Sequence, residues 1–106
     1  MKCAKVTEAG FQKTVLEFAK LHGWRTAHFR PAKTAKGWRT AVSGDGKGFP
    51  DLVLVRGTRL LFVELKMWRN TPSSEQESWL RTLRQTFAEV YLWYPSDWDQ
   101  IETVLA

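Results

Sequence analysis

The sequence predicts an α/β domain in which a mixed central β-sheet is flanked by helices. Three observations carry this. Short apolar runs of strand length recur, two of them separated by a glycine-containing turn; other segments repeat their apolar residues at three- and four-residue spacing; and one such helical segment lies between the third and fourth predicted strands. A helix in that place can serve as a right-handed crossover, which makes the two strands parallel. With 106 residues there is room for one hydrophobic core but not two, so residues 1–106 are read as a single domain.

The elements follow in chain order. Thr7 is a good N-cap for a helix running to about His22, with Gly23 as its stop. Phe11, Val15, Phe18 and Leu21 or His22 supply its apolar repeat, and Glu8 and Gln12, four apart, stack on one face beside it. His22 falls near the helix C-terminus, where the dipole favours it. Trp24 to Arg30 reads as a strand, and Pro31 to Gly48 as a polar, glycine-containing loop whose length suggests a functional or mobile segment rather than a simple connection. Asp51-Leu-Val-Leu-Val55 and Leu60-Leu-Phe-Val-Glu-Leu-Lys66 then form a hairpin through Arg56-Gly-Thr-Arg59. Ser73-Ser-Glu-Gln76 is a capping-box pattern opening a helix predicted to bury Trp79, Leu80, Leu83 and Phe87. Glu89-Val-Tyr-Leu-Trp-Tyr94 is the last strand, and Ser96 is the expected cap of a short terminal helix packed through Ile101, Val104 and Leu105.

Composition narrows the function. Hydrophobic residues make up 43% and charged residues 25%, which is globular rather than disordered. A lone cysteine, Cys3, excludes an intrachain disulfide and a cysteine-based zinc site, and His22 and His28 are not spaced as a ligand pair. No signal-peptide pattern and no apolar run of membrane-spanning length is present, so an intracellular, cytoplasmic protein with no membrane partner is expected. The net charge is +5, and between His22 and Gly48 six basic residues (Arg25, Arg30, Lys33, Lys36, Arg39, Lys47) face one acid, Asp45. Such a segment can contact phosphates, although basic loops also serve solubility alone. Arg30, Lys33, Lys36, Arg39 and Lys47 are the nucleic-acid-binding candidates, together with Trp38, whose place inside the basic segment allows either base stacking or loop packing. Trp24, Trp79, Trp93 and Trp98 are assigned to packing.

The hairpin carries the chemistry. Symmetric pairing about the turn sets Val55 opposite Leu60 and, counting back, Asp51 opposite Glu64, with Lys66 on the same face because side chains alternate. Two like charges about 5 Å apart in an effective dielectric of ~20 disfavour each other by roughly 3 kcal/mol, which a divalent cation between them reverses. Mg²⁺ suits the pair, since it binds one or two carboxylates and keeps several waters. The competing reading has Asp51 merely opening a strand after Pro50, with Glu64 and Lys66 on a solvated face or paired with each other. Against it, the rest of both strands is almost wholly apolar, an unusual setting for three ionisable groups.

Pro-Asp, a spacer and Glu-Leu-Lys at the end of a hairpin strand resemble the PD-(D/E)XK nuclease superfamily, whose core is restriction-endonuclease-like. More narrowly, the chain resembles a stand-alone VRR-NUC domain, the virus-type replication-repair nuclease group. The resemblance runs from Thr7 to Leu105 and rests on Glu8-Ala-Gly-Phe-Gln12, Arg30-Pro-Ala-Lys33, Gly37-Trp-Arg-Thr40, Gly48-Phe-Pro-Asp51, Glu64-Leu-Lys66 and Gln76-Glu-Ser-Trp79. It implies that Asp51, Glu64 and the Leu65 carbonyl ligate a metal, Mg²⁺ or Mn²⁺, with Glu8 binding directly or through water. It implies further that Lys66 orients the attacking water and stabilises charge on the phosphate, and that Gln12 and Gln76 are supporting polar residues. The expected protein is a phage-type or bacterial endonuclease acting on DNA, with branched DNA such as Holliday junctions as substrate and a homodimer as the active form. The alternatives are a flap, single-strand or restriction-type nuclease, or a non-catalytic DNA-binding module retaining the hairpin.

Overall fold

A computed structural model describes residues 6–29, 32–34, 37–39 and 44–106, with backbone alone for 32–34 and 37–39. The elements are helix α1 (Glu8–Leu21), strands β1 (Arg25–His28), β2 (Ala32–Thr34), β3 (Gly37–Arg39), β4 (Leu52–Arg56) and β5 (Arg59–Leu65), helix α2 (Ser74–Leu83), strand β6 (Glu89–Trp93), a 3₁₀ turn (Pro95–Asp97) and helix α3 (Trp98–Leu105). The principal sheet has the order β1-β4-β5-β6. Its first three strands are antiparallel and β6 runs parallel to β5, so α2 is the crossover that the sequence predicts.

The hairpin register is as expected: Val55 pairs with Leu60 and Leu52 with Val63, and the ladder closes at Arg56 and Arg59 around Gly57 and Thr58. Gly57 alone in that turn has a positive φ, 60°, the type II′ signature whose twist matches the flanking strands. Alternation then divides the sheet. Leu52, Leu54, Leu61, Val63 and Leu65 point into the core, where they meet Phe11, Val15 and Ala19 of α1, Trp24, Trp93, and Ile101 and Leu105 of α3. Val53, Val55, Leu60, Phe62 and Glu64 occupy the other face, where α2 lies against β6.

Thr7 caps α1 by accepting from the Gly10 amide, and His22 ends it, Gly23 following at φ 84°. His22 stands at the helix C-terminus as expected, its Nδ1 3.0 Å from the Phe18 carbonyl and its ring stacked on Phe18.

Several expectations need correction. The segment from Pro31 to Gly48 is not a featureless loop: β2 and β3 pair antiparallel within it, too short to leave a periodic trace in sequence. Trp24 lies just before β1, which ends at His28. Phe87 is fully exposed, because α2 stops at Leu83. There the Thr86 hydroxyl donates to the Leu83 carbonyl and accepts from the Ala88 amide, a local turn that competes with further helix. Asp97, not Ser96, occupies the N-cap of α3; its carboxylate accepts from the Tyr94 amide and closes the 3₁₀ turn that Pro95 begins.

Candidate active site

The site is built at the open end of the hairpin. Extending the ladder one step past Leu52 and Val63 sets Asp51 beside Glu64, and Lys66 follows on the same face. Asp51 is held by both neighbouring strands. Its carbonyl accepts from the Phe29 amide at 2.8 Å, and its Oδ2 accepts from the Leu65 amide at 3.0 Å. The Leu65 side chain itself is in the core.

Glu64 is the buried charged residue of the described chain, 2% exposed. Its Oε2 accepts from Gln76 Nε2 at 3.1 Å and lies 4.0 Å from Lys66 Nζ. Its Oε1 has no partner. Burial, and next the charge of Asp51, push the Glu64 carboxyl up to about 8, with Lys66 acting in the opposite direction. A carboxylate with one lone oxygen, desolvated beside a second carboxylate, is unfavourable as it stands and fits a divalent cation.

Gln76 performs two tasks. Its Oε1 accepts from the Ser73 amide at 2.8 Å while the Ser73 hydroxyl accepts from the Gln76 amide at 3.2 Å, the reciprocal box expected from sequence. Because the oxygen is committed to the cap, the NH₂ end must face Glu64. The helix cap therefore orients a donor at the site.

The approach to Asp51 is fixed by contacts that sequence reasoning did not assign. Phe49 meets Phe29, Phe62 and Trp79 edge-on, with ring centroids 5.6, 5.8 and 5.0 Å away. Gly48 packs so closely on the first turn of α2 that a Cβ would lie 2.6 Å from the Glu75 carbonyl carbon, and its φ is 86°. Trp79 donates its indole N–H to the Asp45 carbonyl at 2.9 Å, so this tryptophan ties residues 44–50 to α2 rather than filling the core. The Gly-Phe-Pro-Asp motif was the available signal; the aromatic cluster needed the fold.

Not every candidate joins this group. Glu8 and Gln12 belong to α1, across the sheet from α2, and neither bonds to Asp51, Glu64 or Lys66. Among the described residues no three His, Cys, Asp or Glu side chains form a metal-holding group. Lys47 is exposed and lies 3.8 Å from Glu75. Arg30 and Lys36 lie outside the described residues, as do the side chains of Lys33, Trp38 and Arg39.

Comparison with known proteins supplies the family. Neither the curated proteins nor the solved structures contain a match to the chain. The family model of the VRR-NUC domain matches residues 8–95, which span Glu8, the hairpin with Asp51, Glu64 and Lys66, and Gln76. Nucleases of this fold class generally use divalent metals. With the match covering most of the chain and the four-stranded mixed sheet in place, the chain belongs to the VRR-NUC family, a nuclease-type, DNA-processing domain with the PD-(D/E)XK fold.

Proposed function

We propose that the protein is a Mg²⁺- or Mn²⁺-dependent endodeoxyribonuclease that hydrolyses phosphodiester bonds at Asp51, Glu64 and Lys66. The observation that carries this reading is the buried Glu64 carboxylate, with one oxygen lacking a partner and Asp51 and Lys66 beside it. Asp51, Glu64 and the Leu65 carbonyl would hold the cation; Glu8, which starts α1 and makes no direct bond to them, is proposed to join them at the cation, directly or through water. Such an ion supplies an acidified water and neutralises phosphate charge. Gln76 keeps Glu64 oriented and favours its ionised form. Lys66, largely shielded from solvent, presents a positive charge where charge grows on the phosphate, and its ammonium can donate to the entering water. Gln12 is assigned a supporting role, and the basic residues Arg30, Lys33, Lys36, Arg39 and Lys47, with Trp38, a DNA-contacting one.

Branched DNA is the proposed substrate and a homodimer the proposed form, since one chain offers one such site and coordinated cuts in two strands need two. The test is cleavage of four-way junction, flap, single-stranded and linear duplex DNA with Mg²⁺, Mn²⁺ or EDTA. Metal-dependent cutting that falls by two to three orders of magnitude in Asp51→Ala and Lys66→Ala, with the fold intact, is expected. Equal activity in EDTA would overturn the metal mechanism, and uniform cutting of linear duplex would overturn branch selectivity.

A further inference from the structure

Each tryptophan side chain described has a partner except one. Trp24 donates to the Leu105 carbonyl and lies under Arg56 and Arg59; Trp79 bonds to the Asp45 carbonyl and meets Phe49. Trp93 bonds to Gln100 and stacks on Tyr91, and Trp98 meets Phe18 edge-on. Trp68 is 39% exposed and, among the described residues, has neither a ring contact nor a hydrogen bond. It stands two residues after Lys66, so their Cα atoms are at most ~7 Å apart.

The backbone at this point is unusual. The Asn70 amide donates to the Met67 carbonyl at 3.1 Å, closing a four-residue turn with Trp68 and Arg69 at its centre. Arg69 has φ 61°, and it is the one non-glycine residue with positive φ in the described chain. A positive φ at the third residue of such a turn is the type II geometry, which asks for glycine or asparagine. The strained arginine is exposed and has no ion pair among the described residues. Nor is the turn loose, because the Tyr94 hydroxyl donates to the Asn70 carbonyl at 2.7 Å. A rigid turn thus presents, beside the candidate catalytic lysine and at the expense of local strain, an aromatic ring and a cation that have no partner among the described residues, a pattern associated with function.

We infer that residues 67–70 form a subsite for an unpaired nucleobase next to the scissile phosphate, Trp68 stacking on the base and Arg69 meeting a neighbouring phosphate. The inference rests on the nuclease reading and gives it a source of selectivity. DNA with unstacked bases, as at a flap, gap or junction, can offer a base face; continuous duplex cannot.

The test uses the full chain and two DNAs of equal length, a gapped duplex and a continuous one, with binding measured in EDTA so that no metal-dependent cutting intervenes. Trp68→Ala should bind the gapped DNA about tenfold more weakly and the continuous duplex almost as wild type, with Trp68→Phe recovering most of the loss. A 2-aminopurine in the gap should be quenched on binding wild type and not on binding Trp68→Ala. Arg69→Gly should keep or raise the Tm, because the αL strain is relieved, yet bind DNA more weakly, its log–log salt slope smaller by about 0.7–0.9. Unchanged gapped-DNA binding in Trp68→Ala, or equal loss on both DNAs, overturns the subsite. Wild type that cuts none of the junction, flap, single-stranded, gapped and linear DNAs with Mg²⁺ or Mn²⁺ overturns the nuclease reading, while the binding comparison still decides the subsite.

Discussion

At the scale of single residues, Glu64 shows how a group proposed as catalytic can oppose the fold that holds it. Its carboxyl ionises near 8 in the folded chain, raised chiefly by burial, against 4.5 as the ordinary value. The folded state therefore keeps a proton that the unfolded state has lost between those values. Stability of the metal-free protein is highest below pH 4.5 as far as this group is concerned, and falls as pH rises toward 8 and through it, by on the order of a few kcal/mol. Glu64→Gln should consequently raise the Tm of the metal-free protein at pH 8, have little effect on it near pH 4, and abolish cleavage; thermal melts at the two pH values check the first two effects. Calorimetry in buffers of different ionisation enthalpy should also show about one proton released per Mg²⁺ or Mn²⁺ bound at pH 7. Much at this scale was legible: the positions of Asp51, Glu64 and Lys66 follow from alternation and a two-residue turn. The lone oxygen of Glu64 was not, because burial of one atom depends on Gln76 and on the packing around it.

At the scale of elements, the N-terminus of α2 is tied from two sides to the hairpin that carries the candidate site. Gln76 reaches Glu64, and Gly48 and Trp79 lock residues 44–50 onto the same turn. Gly48→Ala should cost more than about 2 kcal/mol, since the added Cβ meets backbone and the positive φ is lost to glycine's advantage, and should lower cleavage with it; chemical denaturation and rate measurements separate the two. Ser73→Ala should remove about 1 kcal/mol of cap stability. Sequence revealed the capping box because its spacing is local. It did not reveal that Phe87 lies outside α2, since an apolar residue in helical register looks buried until a side-chain turn ends the helix. The short β2–β3 hairpin escaped for a related reason: three residues per strand are too few to establish a period of two.

At the scale of the whole molecule, the hairpin joins the site to the terminal helix. At its turn end, Arg56 donates to the carbonyls of His22, Leu105 and Ala106, so that one guanidinium serves the last turns of both α1 and α3. Arg59 donates to the Val104 carbonyl and grips Glu89 through two bonds of 2.8 and 2.7 Å. Trp24 lies against both arginines and donates to the Leu105 carbonyl. Arg56→Ala should destabilise by about 2 kcal/mol, a fall in Tm of roughly 10 °C, while leaving Mg²⁺-dependent cleavage at low temperature near wild type, because the site is at the hairpin's other end. The α/β class and strand direction were readable from the order of elements. This clamp was not, because its members are spread from His22 to Ala106 and carry no shared spacing.

The double use of the Gln76 amide ties local opening to chemistry. Helix ends fray, and when the first turn of α2 opens, the bond from Ser73 to Gln76 and the bond from Gln76 to Glu64 are released together. The Ser73 and Gln76 amide protons thus become reporters of the site: their exchange with solvent should slow when Mg²⁺ binds and quicken in Glu64→Ala. A helix cap that would ordinarily be read for stability alone is here a gauge of how often the site is assembled.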